Sequence, residues 1–275
     1  RIARLMRGPI PESLRSRQPG PIPESLRSRP PGLIPESLRS RPPGLILTAH
    51  GSADPRSSAT TRRIADEIRR QRPGLDVRVA FCERSEPNLR DVLAGLAGPA
   101  VVTPLLLANA YHARTDIPEV VAESDAGRRG DIVQADTLGE DPRLVRVLDQ
   151  RLAELGVPEH DTAVLVVAVG SSHPEANAAT STLAAALAGR WAAVRVAYAT
   201  AEPSVADGIA DLRRTGGRRI VLAPWFIAPG RITDRVAGIA AAEDIAMADP
   251  LGAHNLLAET VLDRYDRAAA ERLAA

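Results

Sequence analysis

Three side chains in this sequence are of types that hold a divalent metal ion and move a proton, and each follows an apolar, strand-like run. His50 closes "GLILTAHGSADPRS" (residues 44–57), Glu83 closes the run in "VAFCERSEPNL", and His112 lies just past the run in "PLLLANAYHARTDIP". Two imidazoles and one carboxylate suit Fe²⁺, Co²⁺, Ni²⁺ or Zn²⁺ and leave coordination positions open for exchange. A neutral imidazole can also accept a proton near neutral pH. If the three runs are neighbouring parallel strands, their carboxyl ends share one sheet edge and the donors converge there.

The elements needed for that convergence are legible as alternating patterns. Strand-like runs occur at 44–49, 77–82, 100–107 and 131–135, with helix-period segments near 58–72, 87–97, 115–127 and 142–155. The cycle then restarts, with strand-like runs at 163–169, 193–199, 219–227 and 244–248 and helical segments near 175–189, 203–214, 232–241 and 253–273. Such alternation predicts an α/β fold of parallel sheets flanked by helices.

The punctuation of the two halves also matches. Gly51 and Ser52 correspond to Gly170 and Ser171, Pro55 to Pro174, Glu86 and Pro87 to Glu202 and Pro203, and Pro104 to Pro224. This predicts two similar Rossmann-like domains from one internal duplication, over 44–157 and 158–275, with a ligand cleft between them. The duplication also supplies an internal control. In "VLVVAVGSSHPE", Val169 stands where His50 stood; Ala199 falls opposite Glu83, and Arg231 or Ile232 opposite His112. The second half keeps the turns and lacks all three donors, so the donors are expected to form one site that only the first half carries.

Residues 8–43 repeat a unit of 12 residues, "GPIPESLRSRQP" and two variants. The proline content opposes long helices and central strands, so residues 1–43 are expected to be a disordered extension. That segment carries nine arginines against three glutamates, whereas the whole chain is only +1, so the remainder is mildly acidic. All 35 basic residues are arginine, which says little about function, and a net charge of +1 gives no argument for a nucleic-acid partner, so none is expected.

Cys82 is the only cysteine, which excludes an internal disulfide and fits a reducing cytoplasm. By alternation it faces away from Glu83 and is expected to be a packed thiol. No apolar run is long enough to span a membrane, and no secretory signal is read at the basic amino end. His160 and His254 have no partners at useful spacing, and His173, at a helix start, could line the cleft but is read as a surface residue. There is no Gly-x-Gly-x-x-Gly turn and no Walker lysine, which removes the usual nucleotide sites.

Taken in order, "HGS", Glu-x-x-Glu-Pro and His-x-x-x-Asp-Ile-Pro resemble the sirohydrochlorin chelatases, class II tetrapyrrole chelatases that use no ATP. The second half, with "VGSSHPEAN" and "APWFIAPGRITDRV", is similar to the two-domain actinobacterial members, and the resemblance covers about residues 44–270. It implies a lyase that inserts Fe²⁺ or Co²⁺, as substrate, into sirohydrochlorin in siroheme or cobalamin synthesis, with no tightly bound cofactor. It implies that His50, Glu83 and His112 handle the metal, His50 or His112 also accepting a proton. The implied substrate carries eight carboxylates, for which Arg114, Arg231, Ser52 and Ser171 are the expected binding groups. A monomer is expected, since one chain can build the two-walled cleft. The alternative is a non-enzymatic metal- or tetrapyrrole-binding protein on the same scaffold.

Overall fold

The computed structural model describes residues 42–108, 112–217 and 219–274, with the backbone alone at His112. The repeats and the loop at residues 109–111 lie outside the described residues. Among the described residues, eight strands form two sheets of four. The first holds β1 (Gly44–Ala49), β2 (Val77–Phe81), β3 (Ala100–Pro104) and β4 (Ile132–Gln134) in the order β2-β1-β3-β4. The second holds β5 (Thr162–Ala168), β6 (Ala193–Tyr198), β7 (Arg219–Pro224) and β8 (Ala246–Met247) in the order β6-β5-β7-β8. Every pairing is parallel. The two sheets therefore repeat one topology, as the matched punctuation predicts.

The first half contributes helices α1 (Pro55–Gln71), α2 (Leu89–Ala94), α3 (Ile117–Glu123), α4 (Asp125–Arg128) and α5 (Pro142–Ala153). The second contributes α6 (Pro174–Ser181), α7 (Leu183–Leu187), α8 (Val205–Arg214), α9 (Arg231–Ala242) and α10 (Asn255–Ala274). Helix α1 starts three residues before its apolar periodicity does, because Pro55 sits in its first turn and the Asp54 side chain accepts the Arg56 N–H as an N-cap. Strands β3 and β7 stop at Pro104 and Pro224, short of the expected 107 and 227. The residues after each proline leave the ladder to line a cavity, while Leu105 N and Trp225 N still donate to the central strands at Thr48 O and Val167 O.

Strand alternation sorts the core. Ile46, Ala80 and Val102 face outward against Leu89, Leu93 and Ile117. Leu165, Val167 and Leu222 face the opposite outer layer of Ile209, Leu212 and Val236. The inward faces, Leu45, Leu47 and Val101 on one sheet and Val164, Val166 and Val221 on the other, belong to a single apolar cluster. That cluster includes Ile64 and Ile68 of α1, Leu144 and Leu148 of α5, and Leu257 and Val261 of α10.

The last helix of each half packs on the other half's sheet. Helix α5 lies against β7, and α10 lies against β3 and β4 as well as α1. A cut near residue 157 thus divides the sequence repeat, but residues 42–275 pack as one unit. The exchange gives each half an apolar helix face that only the other half covers.

A polar network fixes the exchanged α10. Arg264 donates from Nε to Thr137 O (3.1 Å) and from Nη2 to Leu138 O (2.9 Å) and Asp141 Oδ2 (3.1 Å). Asp141 caps α5 through the Arg143 N–H and accepts the Arg143 guanidinium at 2.9 Å. The Arg143 hydrogen bonds foremost, with the charges of Arg143 and Arg264, hold the Asp141 carboxyl at about 2 against an ordinary 3.8. A value lowered in the folded state means the stabilisation is present above the unfolded value and is lost as pH falls from about 4 toward 2. We expect Asp141→Asn to lose about 1–2 kcal/mol at pH 7, and urea unfolding should show its deficit against wild type shrinking as the pH approaches 2.

Candidate functional site

The carboxyl edge of the first sheet is built by a close crossing of two loops. Past β1, Ala49 O accepts from Cys82 N and His50 O accepts from Glu83 N, each at 3.0 Å. Gly51 adopts φ 95°, and a Cβ there would lie 1.7 Å from Glu83 O. Only glycine lets the two backbones approach this closely. Beyond Glu83, Arg84 takes a left-handed φ of 57° and turns the chain so that Ser85 Oγ donates to Ser52 O (2.9 Å) and accepts from Ser52 N (3.1 Å).

This crossing brings His50 Nε2 to 3.1 Å from Glu83 Oε1, both side chains being nearly half exposed. Metal–nitrogen and metal–oxygen bonds are about 2.0–2.2 Å, so neighbouring donors around one ion stand about 3.0–3.5 Å apart. The pair therefore has the spacing of two adjacent ligands. Arg84 Nε also reaches Glu83 Oε1, at 3.0 Å. Among the described residues, no group of three His, Cys, Asp or Glu is gathered to hold an ion. The side chain of His112, the third donor expected from sequence, lies outside the described residues. Its backbone opens a π-helical turn, His112–Asp116, which Gln134 Nε2 holds by donating to Ala113 O at 2.8 Å.

The second half repeats the crossing without the donors. Ala168 O accepts from Ala199 N (2.8 Å) and Val169 O from Thr200 N (2.9 Å), and Gly170 has φ 92°. The mate of His50 is thus Val169, as expected. The mate of Glu83 is Thr200 rather than the expected Ala199, which matches Cys82. The Glu-Pro offset misaligned this position because the second loop is one residue shorter between the strand end and its Glu-Pro. Thr200 spends its hydroxyl on Val169 O, at 2.8 Å.

Between the two edges lies a cavity of about 520 Å³. Its walls are equivalent segments of the two halves: Ala49, His50 and Gly51 after β1 against Ala168, Val169 and Gly170 after β5, and Leu105, Leu106 and Leu107 after β3 against Trp225, Phe226 and Ile227 after β7. The pairing of these apolar triplets follows from Leu138 N donating to Leu106 O and Leu251 N to Phe226 O, each at 2.9 Å. Sequence reasoning placed the triplets in strands and missed them as walls. The signal was the shared offset of 120 between Pro104 and Pro224, which carries on through the three residues beyond each proline.

The remaining expected residues are placed unevenly. Ser171 lines the cavity, with its N–H on Asn177 Oδ1 and its hydroxyl accepting the His173 N–H. Ser52 is not among the lining residues; its hydroxyl accepts the Asp54 N–H and closes the turn into α1. Arg114, in the π-helical turn, is 3.0 Å from Glu175 Oε1 in the first turn of α6, an ion pair that joins the halves. The Glu175 carboxyl lies below its ordinary range, chiefly through its own backbone N–H and then through Arg114. Arg231 is exposed at the start of α9.

His173, read as a surface residue, instead lines the cavity at the start of α6. Cys82 packs against the outer apolar layer as expected, and burial pushes its thiol up to about 11. His254 accepts the Leu256 N–H at the start of α10. No helix among the described residues is long and apolar enough to cross a membrane.

Two duplicated α/β halves, clasped by exchanged helices around a cleft with His50 of an ion-spaced His–Glu pair on one wall, define the class of this protein. It belongs to the CbiX family, whose model matches residues 44–155 and again 163–268. The chain is 29% identical over 221 residues to the sirohydrochlorin ferrochelatase of Priestia megaterium, covering 69% of this chain and 83% of that protein. It is 25% identical over 200 residues to a sirohydrochlorin cobaltochelatase of the same organism, covering 68% and 65%. In fold it is similar to SirB from Bacillus subtilis with Fe³⁺, at a TM-score of 0.72 and 22% identity, over 85% of this chain and 98% of that one.

Proposed function

We propose that this protein is a chelatase that inserts Fe²⁺ or Co²⁺ into sirohydrochlorin without ATP, serving siroheme or cobalamin synthesis. The observation that carries the reading is the His50–Glu83 pair at ligand spacing, 3.1 Å, with His50 on the wall of a mainly apolar cavity that Ser171, His173 and Asn177 also line. Its relatives' names supply the tetrapyrrole and both metals. The ion is a substrate, so it must be held and then released.

Insertion strips water from the ion and removes two pyrrole protons. His50 and His112 bind the incoming ion; one of them, freed as the ion passes to the macrocycle, accepts one pyrrole proton, and the second leaves to solvent, directly or through Glu83, which otherwise completes the ion's shell. A site of two or three protein ligands with open positions holds the ion loosely enough to surrender it to four pyrrole nitrogens. Ser171 and Arg114 stand for the carboxylate rim, Arg114 by exchanging Glu175 for a substrate carboxylate. Ser52 and Arg231 are weaker donors by position. The ion-handling domain is 44–157, and 158–275 supplies the facing wall. The protein acts as a cytoplasmic monomer with no tightly bound cofactor.

Anaerobic mixing with metal-free sirohydrochlorin and either ion, followed by absorbance, tests the reading. Metallation is expected to accelerate in proportion to protein without ATP. Tetrapyrrole or metal binding with no acceleration over the spontaneous rate would make the protein a carrier instead.

A further inference from the structure

The cavity wall opposite His50 carries an unusual side chain. Among the described residues, Val169 and Leu273 are the exposed large apolar ones, and Leu273 sits in the final turn of α10. Val169 is 40% exposed and lines the cavity at the position equivalent to His50. Its backbone is fixed regardless of side chain, since Val169 O accepts both Thr200 N (2.9 Å) and Thr200 Oγ1 (2.8 Å). A single exposed valine on an open surface needs no explanation. Here it continues an apolar strip with Ala168 and Ile227 on a wall that also carries Ser171 and His173, inside a cleft whose other wall carries His50.

We propose that Val169 is a substrate-contacting platform: it packs on one face of the planar macrocycle and leaves the opposite face to His50 and Glu83, so the ion enters from the first-half side alone. The inference rests on the chelatase reading and adds what the second half does in it. A tetrapyrrole has two apolar faces and a rim of carboxylates. An apolar strip facing His50 can bury one face while the other is addressed by the imidazole, whereas an imidazole in place of Val169 would offer a competing position to the ion on the buried face.

The test compares Val169→Ser and Val169→Leu with wild type. Binding of metal-free sirohydrochlorin is read from quenching of its own fluorescence, and Co²⁺ binding is titrated without tetrapyrrole. Val169→Ser is expected to raise the sirohydrochlorin Kd and the KM about fivefold to tenfold. It should keep kcat and Co²⁺ binding within about twofold, and Val169→Leu should restore wild-type affinity. An unchanged Kd in Val169→Ser, with wild type still metallating its substrate, would overturn the platform and leave the chelatase intact. Failure of wild type to bind or metallate sirohydrochlorin would overturn both.

Discussion

Replacing His50 by alanine should lower the rate of Co²⁺ or Fe²⁺ insertion at least about 100-fold. Outer-sphere partners of metal ligands alone are worth about 10- to 100-fold, and His50 is proposed as a ligand itself. The change leaves the fold in place. His50 holds the loop crossing through its backbone carbonyl, which accepts Glu83 N, and its nearly half-exposed side chain fills no core space. Glu83→Gln keeps the shape and one acceptor oxygen, so a smaller loss, about tenfold, is expected. Stopped-flow absorbance with ion in excess checks both. His254→Ala serves as the control, because that imidazole only accepts the Leu256 N–H at a helix start; it should insert metal at the wild-type rate.

The largest effect on stability is expected at Gly51. An alanine Cβ there would stand 1.7 Å from Glu83 O, a backbone atom that cannot rotate away, and the φ of 95° is itself unfavourable for any L side chain. Gly51→Ala should cost about 3–5 kcal/mol, or force the two loops apart and separate His50 from Glu83. Two other glycines calibrate that figure. Gly170 has the same conformation, but its Cβ would meet side-chain atoms of Ala201 and Tyr198 at 2.9 Å, so less is lost. Gly216 has φ 92° with nothing within 4 Å, leaving only the conformational term of about 1–2 kcal/mol. Urea denaturation of the three variants should rank them Gly51, Gly170, Gly216. Equal losses at all three would mean that the loop crossing contributes nothing beyond backbone conformation.

The alternation, the duplication and the placement of His50 and Glu83 at one sheet edge were legible because each is written locally. A strand shows itself by its run, a helix start by Asp54 before Pro55, and a repeat by its glycines and prolines. The exchange of α5 and α10 was illegible. Their apolar faces look alike whichever sheet they cover, and only packing decides that the half ending at residue 157 lends its helix to the next. The mate of Glu83 was misread by one residue for a related reason. Hydrogen bonding between loops, Glu83 N to His50 O and Thr200 N to Val169 O, sets equivalence, while the Glu-Pro marks sit beyond a loop of different length. His173 looked like a surface residue because its neighbours are polar, yet the strand end before it aims it at the cleft.

With His50 and Glu83 on the first half and Val169 and Thr200 at the equivalent positions of the second, a single ion-handling site per chain is expected. Equilibrium titration with Co²⁺ under anaerobic conditions, read from the visible d–d absorption without tetrapyrrole, addresses it most directly. One ion per chain is predicted for wild type and none for His50→Ala at the same concentrations. Two ions per chain, or an unaltered titration in His50→Ala, would contradict it.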